Sequence, residues 1–436
     1  MQFKSLHLTN AWHEGSGGIR TFYRVLLQAA ERRRQWLRLV VPSERTWCEE
    51  VGAFGRIYHV RARRAPFNSR YRLLDPVTYL LPGSQVQAIL ERERPDLVEI
   101  NDKYTLNYLG GLLRVWRGRR LSWHPTVIGL SCERMDDNVT AYLSTSRMVR
   151  RLTRWYMKWM YFPLFDHHIA NSCYTAEELE EARRGHIRRR GVWLGPMGVD
   201  YELFSSGPRD EQSRREWERA CGAGPGAVLL LYAGRLDREK NCGLLIETIR
   251  ELQTHGDYRL IVAGSGGQEE TLRRDAAAKA PGRVYFAGQI GDRNKLVSLY
   301  RCADAFVHPN PREPFGIAPL EAMAAGLPLV APRSGGLLAY ANEENAWLAP
   351  PEPAAFASAV RAIARNPAER QRKTEAARRT AASFSWTAIT DFYLDLYAEL
   401  HALTQGARSD PAIPPLFYST PGDAWGREIR NANGHY

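Results

Sequence analysis

The sequence predicts an α/β protein made of two doubly wound domains, and three observations lead there. At 436 residues the chain is too long for one ordinary core and suits two of about 200 residues each. Short apolar runs alternate with stretches of helical spacing along both halves, the pattern of a parallel sheet covered by helices on both faces. Between the halves, at 197–219, a turn-rich segment passes into a charged stretch with few apolar residues, a composition break that reads as a linker.

In the first half, strands are expected at 3–8, 37–41, 56–60, 97–100, 126–130 and 168–170, with helices at 19–33, 83–93 and 148–161 between them. In the second half, strands are expected at 228–232, 259–263, 283–286, 305–307 and 328–331, with a helix after each. A last periodic helix runs over about 386–402, and residues 405–436, polar with several Pro and Gly, should form a loose tail. The expected domains are 1–200 and 220–384.

Composition is that of a globular protein, 44% hydrophobic and 25% charged, which argues against general disorder. The net charge of +12 is uneven: residues 1–200 hold 32 Lys+Arg against 20 Asp+Glu, whereas residues 201–436 hold 28 of each. A basic first half suits an anionic partner: a membrane surface, a nucleic acid or an anionic substrate. The six cysteines (Cys48, Cys132, Cys173, Cys221, Cys242 and Cys302) are scattered without metal spacing, which points to a reducing compartment and no structural zinc. The apolar stretch near the N-terminus is too short for a signal-peptide core, and no apolar run is long enough to span a bilayer. The expected location is the cytoplasm, with a peripheral seat on the inner membrane face.

Residues 311–336 are the most informative stretch. Glu313 and Glu321 stand eight positions apart around a loop that opens a helix. A carboxylate accepts two charge-assisted hydrogen bonds from a vicinal diol. Between them, 315–320 lead into a helix start whose N–H groups and positive dipole end suit a phosphate. Diol, phosphate, diol is the outline of a nucleotide sugar. With its Pro314-Phe315-Gly316, its Glu321-Ala322-Met323-Ala324-Ala325-Gly326 helix and its closing Gly335-Gly336 turn, this stretch resembles the donor-site signature of the family 4 retaining glycosyltransferases. The resemblance spans about residues 1–402 and implies the GT-B fold, two Rossmann-like domains facing across a cleft. It implies an acceptor domain at 1–200, a donor domain at 220–384, and a C-terminal helix, 385–404, crossing back to the first. It gives Glu313 the donor-sugar hydroxyls and Glu321 the ribose, with Phe315, Gly316, Ile317 and Leu320 at the phosphates.

Other segments extend the likeness. After the expected strand 228–232 come Gly234-Arg235-Leu236-Asp237-Arg238-Glu239-Lys240, similar to the family's Gly-Arg…Lys element. Arg235, a planar fork, and Lys240, a compact cation, are two ways to neutralise a diphosphate leaving group. With Glu313 they are the expected catalytic residues. The glycine loop Gly15-Ser16-Gly17-Gly18 follows the first strand, and the resemblance places Gly17 and Gly18 over the diphosphate. Ala263-Gly264-Ser265-Gly266 reads as a structural turn, and Ile290 lies where the family's backbone meets the base. No Asp-x-Asp accompanies a donor loop, so no metal and no cofactor are expected; the nucleotide sugar is a co-substrate. One departure stands out. Leu130-Ser131-Cys132-Glu133-Arg134-Met135-Asp136 resembles the Ser-His-Glu-Arg-Leu-Asp of lipid-directed members, with Cys132 where the histidine belongs. A thiol cannot reproduce imidazole hydrogen bonding.

The segment 147–162 interleaves Arg150, Arg151, Arg154 and Lys158 with Trp155, Tyr156, Trp159 and Tyr161. Such a helix either lies on anionic lipid or packs its aromatics inside the domain. The likeness to diacylglycerol- and phosphatidylinositol-directed transferases makes a lipid or lipid-linked acceptor the first expectation and a saccharide the second. Two rival classes stay open: a non-catalytic nucleotide-sugar-binding member, which Cys132 would explain, and a nucleic-acid-binding protein, whose usual motifs are missing.

Overall fold

A computed structural model of the chain describes residues 3–13, 17–65, 68–81, 83–117, 120–143, 146–186, 191–207, 209, 211–224 and 226–406. Expectations that involve Gly15 and Ser16, and the tail beyond 406, lie outside the described residues. The chain folds as two compact units, one built from Met1–Gly198 and the helix Trp386–Thr404, the other from Val199–Ser385.

In the first unit, the strands are β1 (Lys4–Thr9), β2 (Trp36–Ser43), β3 (Trp47–Val51), β4 (Gly55–Arg61), β5 (Arg63–Ala65), β6 (Asn68–Leu73), β7 (Leu97–Asn101), β8 (Thr126–Ser131), β9 (His167–Ala170) and β10 (Val192–Leu194). Eight of them form a sheet in the order β10-β9-β8-β7-β1-β2-β4-β3, and β5 pairs with β6 apart from it. Every pairing in the large sheet is parallel except that of β3 with β4. Leu6, Leu8, Leu39, Val98, Ile100 and Ile128 are fully buried, as central parallel strands covered on both faces require. The six strands with apolar runs stand where the sequence places them. β3, β10 and the β5–β6 hairpin went unread because short or polar edge strands carry no apolar run.

The helix Trp386–Thr404 is fastened to this sheet through polar contacts in its core. The Tyr397 hydroxyl donates to the Glu99 carboxylate, which also accepts from Tyr23 at 2.9 Å and lies 3.0 Å from His7 Nδ1. The Tyr393 hydroxyl donates to the carbonyl of Gly195. A Cβ at Gly195 would stand 2.6 Å from that hydroxyl, so only glycine lets chain and helix approach this closely.

The second unit has an all-parallel sheet of β11 (Val228–Ala233), β12 (Tyr258–Ala263), β13 (Val284–Gly288), β14 (Ala305–Val307), β15 (Leu329–Pro332) and β16 (Trp347–Ala349). Its order is β13-β12-β11-β14-β15-β16. The winding direction reverses between β11 and β14, and in an open α/β sheet that reversal leaves a ligand crevice beyond the carboxyl ends of the strands. Leu230, Tyr232, Ile249, Leu260 and Phe356 belong to the core beneath it.

The stretch that composition marks as a linker is structured as part of this unit. It forms the helices Tyr201–Ser205 and Glu211–Ala220. The second is held by buried Trp217 and by Arg214, whose guanidinium donates to the carbonyls of Cys302 and Ala227, both at 2.6 Å, and to Asp304 at 2.9 Å. A helix anchored by one tryptophan and one buried arginine shows no apolar periodicity, so composition alone misreads it.

Candidate functional site

The loops after β11 and β14 meet at the reversal of the second sheet. Asn241, in the left-handed region at φ 54°, donates its side-chain amide to the carbonyl of Pro309 at 3.1 Å and ties the two loops together. Behind them, Gly264 is packed so tightly that a Cβ would lie 1.9 Å from the carbonyl oxygen of Gly234. The loop after β12 can thus brace the loop that carries Arg235 and Lys240.

Lys240 reaches from the first loop to Glu313 on the second. Its Nζ lies 3.0 Å from Oε1 and 2.8 Å from Oε2. Asn310 donates to Oε2 at 3.1 Å, and His308 Nε2 faces the same oxygen at 3.5 Å. Burial is the largest influence and works against the Glu313 charge, but Lys240, His308 and Asn310 together overcome it and hold the carboxyl down to about 2. Burial pushes buried His308 the other way, down to about 4, so its imidazole is neutral near pH 7. The Glu313 backbone is fixed as well: its carbonyl accepts from Gly336 N–H at 2.6 Å, and a Cβ on Gly335 (φ 83°) would come within 2.9 Å of the Pro311 carbonyl. The result is a preorganised carboxylate and ammonium side by side, able to hold hydroxyl groups and an anion on adjacent atoms.

Arg235 is directed elsewhere. Its guanidinium donates to Asp237 at 2.6 Å and to Glu239 at 2.9 Å, within its own half-exposed loop. The Tyr232 hydroxyl donates to its carbonyl at 2.8 Å.

The helix Ile317–Ala325 opens at Gly316 (φ 86°), with no side-chain cap. The Tyr340 hydroxyl donates to the carbonyls of Gly316 and Phe315. Pro319 has no N–H, so Ile317 and Ala318 supply the first-turn donors that an anion can use. The side chains of Phe315 and Leu320 are buried, Phe315 against Tyr340 and Phe384, which leaves only their backbones for a ligand. Glu321, one turn into the helix, accepts from the Tyr300 hydroxyl at 2.9 Å. Burial raises its carboxyl to about 7 against the opposing pull of Tyr300 and Arg293.

The remaining expected residues are spread over both units. Ile290 is half-buried in the loop after β13. Gly17 and Gly18 form the first turn of the helix Gly17–Arg32 in the first unit. Cys132 follows β8, where Asn101 Nδ2 donates to its sulfur at 3.3 Å; burial pushes its thiol up to about 12. Among the described residues no cluster of His, Cys, Asp and Glu is fit to hold a metal ion.

His308, Asn310, Tyr300 and Tyr340 were not read from the sequence. His308 and Asn310 follow the end of β14, and the rule that ligands gather beyond strand ends could have found them. The two tyrosines reach the site only through tertiary packing, and no local pattern marks them.

A doubly wound pair of units with this site defines a GT-B glycosyltransferase that takes its sugar from a nucleotide sugar. Residues 213–380 match the family of glycosyl transferases group 1. The chain is 30% identical over 382 residues to the GDP-mannose-dependent alpha-(1-6)-phosphatidylinositol dimannoside mannosyltransferase of Mycobacterium tuberculosis (strain ATCC 25177 / H37Ra), covering 87% of this chain and 92% of that protein. It is 32% identical over 229 residues to the D-inositol 3-phosphate glycosyltransferase of Saccharomonospora viridis, covering 50% of this chain and 52% of that one. Sucrose-phosphate synthase from Thermosynechococcus elongatus shares the fold, with a TM-score of 0.73 at 21% identity over 92% of this chain and all of that one. The chain belongs to the group 1 glycosyl transferases.

Proposed function

We propose that this protein transfers a hexosyl group, with retained configuration, from a nucleoside diphosphate sugar to an inositol-bearing lipid, with GDP-mannose the first donor to try. The observation that carries the transfer chemistry is the Lys240–Glu313 pair at the sheet reversal. In this reading Glu313 takes sugar hydroxyls and Lys240, joined by Arg235, takes the charge that develops on the departing diphosphate. The N–H groups of Ile317 and Ala318 hold phosphate, Glu321 takes the ribose, and the backbone at Ile290 meets the base. Gly17 and Gly18 offer further N–H groups to an anion. Protein cations fill the role a divalent ion would have, and no cofactor is invoked. Breaking the bond between the anomeric carbon and the diphosphate oxygen leaves an anion that can accept the proton of the attacking hydroxyl on the same face.

Donor and acceptor are inferred from the relatives. A match over 87% of the chain must extend well into the first unit, which the reading assigns to the acceptor, and the relative that gives it is named for GDP-mannose and a phosphatidylinositol mannoside. No helix among the described residues is long and apolar enough to cross a membrane, and the reading is of a peripheral protein on the cytoplasmic face.

The test has two stages. A thermal-shift panel of UDP, GDP, ADP and their sugars identifies the base, since a ligand that binds only the folded state raises stability with the logarithm of its concentration. The selected donor is then incubated with phosphatidylinositol, its mannosides, free inositol phosphate or an oligosaccharide, and products are read by mass spectrometry. Transfer to an inositol lipid supports the reading; transfer to the oligosaccharide alone overturns the acceptor, and no nucleotide shift at all overturns the donor site.

A further inference from the structure

The helix Arg147–Tyr156 and the wider turn Met157–Tyr161 that continues it are seated in the first unit by buried Thr153, Met157, Tyr161 and Phe162. The other side of this segment is unusual for a surface. Met148 is 71% exposed, Leu152 57%, and Trp155 and Trp159 54% each. Positions 148, 152, 155 and 159 repeat as i, i+4, i+7 and i+11, a single stripe on a helix of about 3.6 residues per turn. Leu143, at the end of the neighbouring helix Met135–Tyr142, is more exposed still. Solvated single apolar residues are common, but a continuous stripe of large ones marks an interaction surface.

Beside the stripe runs a row of cations: Arg147, Arg150, Arg151, Arg154 and Lys158. Among the described residues, Arg154 has a loose ion pair with Glu181 at 3.5 Å, and Arg147, Arg150 and Arg151 have none. Large apolar side chains flanked by unneutralised cations complement one surface chemistry, an apolar layer beneath an anionic one.

We propose that this segment is an insertion edge that seats the first unit in an anionic phospholipid bilayer. The stripe Met148, Leu152, Trp155 and Trp159 enters the headgroup–acyl boundary while the cation row holds the headgroup phosphates. The inference rests on the lipid-acceptor reading and goes beyond it. The seat has two separable parts, one screened by salt and one insensitive to it, and Trp155 and Trp159 belong to the second.

The test is co-sedimentation of the full chain with phosphatidylcholine vesicles, with and without phosphatidylinositol, at low salt and at about 0.5 M salt, where screening falls below about 5 Å. One variant carries Leu152→Ser, Trp155→Ser and Trp159→Ser; the other carries Arg150→Gln, Arg151→Gln, Arg154→Gln and Lys158→Gln. The wild type is expected to pellet with anionic vesicles and to keep a residual share at high salt. The charge variant should lose about fivefold in partitioning per cation at low salt, and the stripe variant should lose the salt-resistant share at least about tenfold. If the triple variant lacks a thermal unfolding transition, Trp155→Gln alone replaces it.

A wild type that ignores anionic vesicles overturns the seat. So does a stripe variant that equals it at high salt, or stripe substitutions that dissolve a dimer without changing vesicle binding. Nucleotide binding measured without vesicles separates the two claims. Transfer to detergent-dispersed lipid without vesicle binding sinks the seat alone; vesicle binding without any nucleotide binding sinks the transferase reading and leaves the seat standing.

Discussion

Lys240 Nζ lies within 3.0 Å of both carboxylate oxygens of Glu313, across 73 positions of chain. The two residues were expected to serve different parts of the donor, diphosphate and sugar. Their contact means that the cation proposed for the leaving group and the carboxylate proposed for the sugar are one buried unit. Removing either partner leaves the other's charge uncompensated in a desolvated place, which costs more than the pair itself is worth.

Turnover should therefore respond to the pair non-additively. Lys240→Ala is expected to lower kcat by about 30- to 1,000-fold, the equivalent of about 2–4 kcal/mol of transition-state stabilisation. Combined with Glu313→Gln it should cost much less than the product of the two single effects. Steady-state kinetics on the three variants checks this, and fully additive losses would show that the contact has no functional meaning.

Acid stability follows from the same contact. The Glu313 carboxyl is held near 2 in the fold against an ordinary value of 4.5. The depressed acid adds stability that is fully present above about 4.5 and is lost as pH falls toward about 2. In Lys240→Ala burial acts with much less opposition, the carboxyl rises, and this group no longer loses stability as pH falls from about 4.5 toward 2, so the unfolding free energy should depend less steeply on pH there than in the wild type. Denaturant unfolding followed by circular dichroism at several acid pH values tests it; an equal slope in the two proteins contradicts the assignment.

Glu321 should divide from Glu313 in what it binds. Glu321→Ala is expected to weaken nucleoside diphosphate and intact donor alike, whereas Glu313→Ala should spare the nucleoside diphosphate and harm donor binding and turnover. The Glu321 carboxyl titrates near 7, so affinity for the nucleotide should rise as pH increases through that value and the carboxylate becomes able to accept two ribose hydroxyls. Calorimetry at several pH values tests it. Glu321→Gln should flatten the profile, and an unchanged slope in that variant would assign the titration to another group.

Cys132 should be chemically silent. Its thiol is raised to about 12 by burial, so almost no thiolate exists near neutral pH, whereas Cys48 is exposed. Maleimide should label Cys48 first and leave Cys132 unlabelled in the folded protein, and Cys132→Ala should retain turnover within about threefold. Rapid labelling of Cys132, or loss of turnover in the alanine variant, would give the thiol a role.

Gly264→Ala should be severe although it lies off the reacting atoms. A Cβ there would meet the Gly234 carbonyl at 1.9 Å, and φ is 146°. Backbone cannot yield as a side-chain tip can, so a loss of more than about 3 kcal/mol in stability is expected, read as a fall in Tm. Gly243→Ala, whose Cβ meets nothing within 4 Å, is the control.

Much of this protein was legible in its residues alone. Central parallel strands are buried on both faces, so β1, β2, β7, β8, β11 and β12 appear as apolar runs, and glycines at 316, 326 and 335 mark turns that demand positive φ. The order carboxylate, helix start, carboxylate in 313–321 is local to one loop and one helix, and spacing captures it. Tertiary structure alone decided which groups meet. That Lys240 pairs with Glu313 depends on two loops from strands far apart in the chain converging at a sheet reversal, and that Tyr300 holds Glu321 depends on the packing of two helices. It also decided that Glu211–Ala220 is a helix of the second unit, because a buried arginine satisfied by distant carbonyls leaves no periodic trace. Exposure was the last such decision: the aromatics of 147–162 divide into buried Tyr161 and Phe162 and outward Trp155 and Trp159, and one helical spacing is compatible with either side facing the core until the rest of the domain is in place.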